Sequence, residues 1–198
     1  MPTFFAAVAF ALSLVTPAPT PRADFHDAMR KLWEDHVTWT RLYIVSAAAG
    51  LPDAQPAAQR LLQNQTDIGN AIKPFYGDAA GERLTALLRQ HILTAADLVA
   101  AAKAGNNDGV TAVEKTWHEN GDQIAAFLSS ANPNWPRVAM SDMLSEHLDY
   151  TTTEVVSRLK GDWAADIAAY DKGHEHMLMF SDMLADGIVK QFPAKFSK

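Results

Sequence analysis

Four of the seven histidines, His36, His91, His147 and His174, fall at the centre of the apolar stripe of four different expected helices. Each also lies about midway along its helix, and mid-helix residues of an antiparallel bundle share one height. The spacing therefore predicts several imidazoles converging on one buried layer. Imidazole is the commonest protein metal ligand and the commonest acid or base near neutral pH. An apolar sector covers about a third of a helix surface, so about two of seven histidines would fall there by chance. Four is a modest excess.

Around His36 the stripe holds Phe25, Met29, Leu32, Thr40 and Tyr43; around His91 it holds Leu84, Leu87, Leu88, Ala95 and Leu98. The third stripe reads Met140, Met143, Leu144, His147, Thr151, Glu154 and Arg158. The fourth reads Trp163, Ile167, Tyr170, His174, Met177, Ser181, Leu184 and Ile188. The two remaining helices add Gln65 and Asn120, also near mid-helix. A buried polar group left unpaired costs ~1–3 kcal/mol. Members of such a layer must satisfy one another or share an ion.

Three readings follow. In the first, His36, His91, His147 and His174 ligate a divalent metal. Neutral imidazoles suit Zn, Cu, Ni or Fe, and a carboxylate would tilt the choice towards Fe or Mn. Gln65, Asn120, Thr40, Thr94, Thr151 and Glu154 are then candidates to orient the rings. In the second, the histidines form a hydrogen-bonded network inside a non-catalytic envelope or interaction module. In the third, they perform metal-free acid/base catalysis, which requires an accessible pocket. The Glu-x-x-His repeat of helical di-iron sites is absent from the sequence.

The other polar candidates read as structural. His176 lies two residues from His174 and so points to another face; it is expected in solvent, as are His118 and His26. Glu154 is expected to pair with Arg158 at i+4. Arg41 is placed on a solvated face, and Asn64 and Asp67 in caps or inter-helix hydrogen bonds. Trp33, Trp39, Trp117, Trp135 and Trp163 are expected to pack the core and its ends.

The positioning elements are helices throughout, with no alternating strand. Helix 1 is expected from about Asp24 to Ala49, stopped by Gly50 and Pro52. Helix 2 starts behind the N-cap candidate Asp53 and ends before Pro74, helix 3 follows Asp78 and stops at Gly105, and helix 4 begins after Asp108 and ends before the loop that opens at Asn132. Helix 5 starts near Val138. Gly161-Asp162 reads as a C-cap followed by an N-cap that opens helix 6, ending near Gln191; a kinked continuous helix is the alternative. Short connections make successive helices antiparallel neighbours. The expectation is an all-α, single-domain antiparallel bundle of about six helices over residues 24–198.

Residues 1–23 read as a signal peptide or N-terminal anchor. Phe4 to Val15 is a twelve-residue run, apolar except for Ser13, and too short to span a bilayer at ~20 residues. Pro17, Pro19 and Pro21 should then break any helix. No Lys or Arg precedes the run, and the small-residue exits at Ala18 and Ala23 are crowded by proline. An extracytoplasmic protein with no transmembrane helix in its mature chain is implied. The formal net charge is -6 with dispersed Lys and Arg, which argues against a nucleic-acid partner. With no cysteine, disulfides, thiolate nucleophiles and Cys-type zinc sites are excluded.

The blocks Leu32-Trp33-Glu34-Asp35-His36-Val37-Thr38-Trp39-Thr40-Arg41, Ala71-Ile72-Lys73-Pro74-Phe75-Tyr76-Gly77 and Ile124-Ala125-Ala126-Phe127-Leu128 are distinctive. With Asn132-Pro133-Asn134-Trp135 and Gly187-Ile188-Val189-Lys190-Gln191-Phe192, they resemble a family of bacterial secreted or envelope helical proteins. Its members are labelled glycosyltransferase or acetylglutamate kinase. Either fold would need alternating strands and helices, which this sequence lacks, so the resemblance speaks to fold and boundaries and leaves activity open. Of the candidate ligands, the quoted blocks contain His36; the resemblance implies that His91 and His147 also recur in the family, and does so less for His174.

Overall fold

The computed structural model describes residues 20–197. The apolar run read as an export signal lies outside them. Six α-helices follow one another: α1 (Pro21–Ala49), α2 (Ala54–Tyr76), α3 (Asp78–Lys103), α4 (Asn107–Ala131), α5 (Arg137–Lys160) and α6 (Trp163–Gln191). A short 3-10 turn at Pro193–Lys195 closes the described chain. Among the described residues, no helix is long and apolar enough to cross a membrane.

Local chemistry explains most of the boundaries. Thr20 caps α1 through its hydroxyl, and Pro21 occupies the first turn, where its missing N–H removes no helical bond. The expectation that Pro21 breaks the helix is corrected: residues 21–23 belong to α1. Gly50 ends α1 with φ 69°, its amide donating to Ser46 and Ala47 carbonyls; the left-handed conformation suits glycine. Gly161 ends α5 in the same way at φ 73°, which separates α5 from α6 and disposes of a continuous helix. Pro74 does not stop α2, which continues to Tyr76. In the last turn the ring opposes only one helical bond.

Each helix packs on the next, and α6 packs back on α1, closing a ring. Across the middle, α1, α3 and α5 also touch one another. Short connections reverse the chain each time, so these three run in one direction. Their residues then rank in the same order from end to end. Met29 and Trp33, Leu84 and Leu88, and Met140 and Leu144 join one large apolar cluster. Ile44, Val99 and Val155 form a second, smaller one. Between the two clusters, on the same three helices, come His36, His91 and His147.

A buried histidine centre and its surroundings

His36, His91 and His147 are 2–4% exposed. Ring centroids lie 5.6 Å apart for His36 and His147, and 5.9 Å apart for His91 and His147. The closed ring of six helices explains why these three meet: α1, α3 and α5 are the helices that reach the axis. His147 stands between the other two. Trp33 packs edge-on against His36 at 5.6 Å, and the Trp117 ring lies 5.2 Å from His91.

Two amides address the rings. The Gln65 Nε2 lies 3.3 Å from His36 Nδ1 and also donates to the Leu61 carbonyl and to Asn64 Oδ1. Asn120 Oδ1 lies 3.0 Å from His91 Nδ1, while its Nδ2 donates to the Leu87 carbonyl. An acceptor at His91 Nδ1 places that ring's proton there and leaves the Nε2 lone pair free. Gln65 Nε2 has only two hydrogens for three acceptors, and Gln65 Oε1 has no donor at all. His147 Nδ1 is likewise buried without a partner. Among the described residues, no protein group hydrogen-bonds the Nε2 of any of the three rings.

The rings border a void of about 10 Å³, otherwise walled by Ile44, Leu61, Ile92, Leu98, Val99, Trp117 and Val155. That is the room of a single water, which needs ~10–15 Å³. Burial keeps all three imidazoles neutral. It pushes His36 down to about 3, helped by His91 and opposed by the Gln65 contact. Burial likewise lowers His91 to about 4 against its Asn120 bond. His147 is held well below 6.5 by burial and then by its imidazole neighbours.

Other candidates take different places. His174 is not in this layer. It sits on α6, outside the inner three helices, and its Nε2–H donates to the Glu34 carboxylate at 2.8 Å from both oxygens. His176, expected in solvent, is 4% exposed, and its Nε2–H donates to the Met143 carbonyl at 2.7 Å. Both departures have one cause. In the N-terminal half of α6 the buried face is made by Asp166, Ala169 and Gly173, with Tyr150 of α5 close enough that a Cβ on Gly173 would meet its Cβ at 3.3 Å. The large residues Trp163 and Ile167, which set the expected stripe, are 57% and 53% exposed.

Thr40 and Thr151 line the void, but their hydroxyls donate to the His36 and His147 carbonyls one turn back. Thr94 does the same to Gln90. These hydroxyls hold the backbone and leave the rings alone. Glu154 does not pair with Arg158; it accepts from Arg41 at 2.8 Å. Arg41, expected on a solvated face, also makes a two-pronged contact with Asp166, which accepts from Arg158 at 2.9 Å as well. Asp166 is 1% exposed. Burial would raise its carboxyl, but Arg41 and Arg158 outweigh burial and hold it below the usual range. The sequence offered no local signal for Asp166.

As placed, the imidazoles are not a closed ligand set: among the described residues, no three His, Asp or Glu side chains are arranged to hold a metal ion. No family model, curated protein or solved structure matches the chain.

Proposed function

We propose that this chain is an exported helical-bundle protein in which His36, His91 and His147 hold one transition-metal ion. The observation that carries the reading is that the layer does not satisfy itself. Three neutral rings meet at a void, none hydrogen-bonds another among the described residues, and the buried His147 Nδ1 and Gln65 Oε1 lack partners. A guest with an affinity for nitrogen lone pairs removes that cost.

The spacing supports the same reading. Two imidazoles at ~2.0–2.1 Å from one ion put their ring centres about 5–6 Å apart, close to the 5.6 and 5.9 Å found. Closing the set requires ring rotation. His147 can turn without breaking a protein hydrogen bond. At His36, turning the Gln65 amide over would let Oε1 accept from Nδ1–H and free Nε2 for the ion, at the expense of the Leu61 and Asn64 bonds. His91 is already held in the tautomer that ligation by Nε2 needs. A three-imidazole site favours Zn or Cu over Mn.

A second reading is favoured by one contact. If Gln65 Nε2–H donates to His36 Nδ1, the His36 proton lies on Nε2, while His91 keeps a free Nε2 lone pair, and both rings line the same void. One water between them would complete a hydrogen-bonded network with no metal. Acid/base catalysis is the weakest of the three, because a void of about 10 Å³ admits no organic substrate and neutral imidazoles this far below 6.5 are poor bases near pH 7.

Elemental analysis of purified protein, stripped and reloaded with Zn, Cu, Ni, Mn or Fe, tests the proposal. One ion per chain is expected, with a rise in Tm that His36→Leu, His91→Leu and His147→Leu each abolish. No stoichiometric metal and no thermal shift would overturn it in favour of the water-bridged network.

A further inference from the structure

The void at the histidines has a polar side that faces α6. Most of its walls are buried aliphatic and aromatic side chains, but Thr40, His147 and Thr151 also border a second void of about 10 Å³. This second void lies towards α6 and is bounded there by Tyr170, Gly173 and His174. The His174 ring lies 5.9 Å from Tyr170, with 30° between their planes. His174 and its partner Glu34 are the outermost groups of this track, with side chains 26% and 46% exposed. An imidazole hydrogen-bonded to a carboxylate is a pair that divalent cations take readily, since neutral nitrogen and anionic oxygen are both ligands for them.

We propose that divalent cations reach the histidine centre through the His174–Glu34 pair, which captures them at the surface and delivers them past Tyr170 to His147. This rests on the metal-binding reading above and assigns His174 a role in loading in place of one in the final ligand set. His147 borders both voids, so one ring flip carries a bound ion from the outer space to the inner one. Thr40 and Thr151 line the passage with hydroxyl oxygens, while Gly173 keeps it open where any side chain would crowd Tyr150. Among the other walls of the inner void, Ile44, Leu61, Ile92, Leu98, Val99 and Val155 are aliphatic, and stripping an ion of its water against them is costly for a charge.

The test follows cobalt(II) uptake by the metal-free full chain through the visible absorbance of the imidazole-bound ion. Stopped-flow mixing gives the loading rate, displacement by a chelator gives the release rate, and equilibrium titration gives the affinity. In the double variant Glu34→Gln/His174→Gln, loading and release should both slow by about tenfold or more, the low end of what a charged entrance adds to an association rate. Affinity and stoichiometry should stay unchanged. Loading should weaken with added salt in the parent and lose that dependence in the variant. His118→Gln, on α4 and away from the track, should load like the parent. Unchanged or faster loading in the double variant would overturn the route, as would weaker equilibrium binding, which would make His174 or Glu34 a resident ligand. A parent chain that binds no cobalt or zinc at equilibrium overturns the route together with the reading it rests on. A parent that binds normally beside a variant with unchanged rates overturns the route alone.

Discussion

His91 and His147 lie ring beside ring, centroids 5.9 Å apart and planes within 17° of parallel, on two helices that meet at the bundle axis. Neither ring can accept a proton without charging the other's surroundings. The third ring, His36, adds to the same penalty on His147.

Acid lability of the metal-free chain follows. In the unfolded chain each imidazole takes up a proton near 6.5; in the folded chain burial lowers His91 to about 4 and His36 to about 3, with His147 also well below 6.5. Folded values below unfolded ones mean that the unfolded state binds more protons as pH falls. The stability is therefore complete above about pH 6.5 and lost progressively below it. Each ring contributes about 1.4 kcal/mol per pH unit over that window. Three together give a slope of about 4 kcal/mol per unit, large against a typical total of 5–15 kcal/mol. Urea midpoints in chelator should fall sharply between pH 7 and pH 5. Equal midpoints at the two values would show that the rings are not buried as neutral groups.

Replacement of single rings should separate His91 from His147. His91→Leu strands Asn120 Oδ1 in the core and should cost about 1–3 kcal/mol for the unpaired acceptor. His147→Leu removes a ring whose Nδ1 has no partner and should change metal-free stability by less than about 1 kcal/mol in either direction. Denaturant unfolding in chelator gives both numbers. A larger loss at His147 than at His91 would refute this view of the hydrogen bonding.

The sequence disclosed the inner layer because α1, α3 and α5 present ordinary large apolar residues on either side of each histidine. Gln65 and Asn120 were legible for the same reason. On the N-terminal half of α6 the rule failed, since the buried face there is built from Asp166, Ala169 and Gly173 while Trp163 and Ile167 face outward; Met177, Ser181, Leu184 and Ile188 further on are buried as expected. A stripe drawn through the largest residues is turned by about one position, which exchanges His174 and His176. The Arg41–Asp166 contact joins α1 to α6, residues 41 and 166, and such a pairing depends on the closing of the ring. No local periodicity encodes that step, and Arg158 at i+4 made a nearer partner for Glu154.

Arg41 anchors that closure. Its guanidinium bridges Glu154 of α5 and Asp166 of α6 and lies 5.3 Å over the Tyr170 ring. Arg41→Met leaves Glu154 buried with no cation at hydrogen-bond distance among the described residues, while Asp166 keeps Arg158. A loss of about 3 kcal/mol is expected, the lower part of the range for breaking a buried pair. Arg41→Met/Glu154→Gln should recover part of it, because the remaining amide is neutral. A single variant as stable as the parent would show the cluster to be solvated.

Gly69 and Gly121 make opposite predictions. A Cβ on Gly69 would stand 2.6 Å from the Gly81 carbonyl oxygen and 1.9 Å from Thr85 Oγ1. The hydroxyl can rotate away, but the carbonyl is backbone, so α2 and α3 must move apart. Gly69→Ala should therefore destabilise the chain by about 1–3 kcal/mol. The displacement falls one turn from Gln65, so the same variant should also weaken metal binding, by about tenfold or more if Gln65 orients His36. At Gly121 the nearest atoms to a new Cβ are Leu144 Cβ and Leu148 Cδ1, both at 3.8 Å, an ordinary contact. Gly121→Ala should be neutral or stabilising by up to about 1 kcal/mol through helix propensity, with metal affinity unchanged. Thermal unfolding and zinc titration of the two variants side by side check both arms. Weakened zinc binding in Gly121→Ala alone would mean that the α4 side of the site, around Asn120, is the one that sets ring geometry.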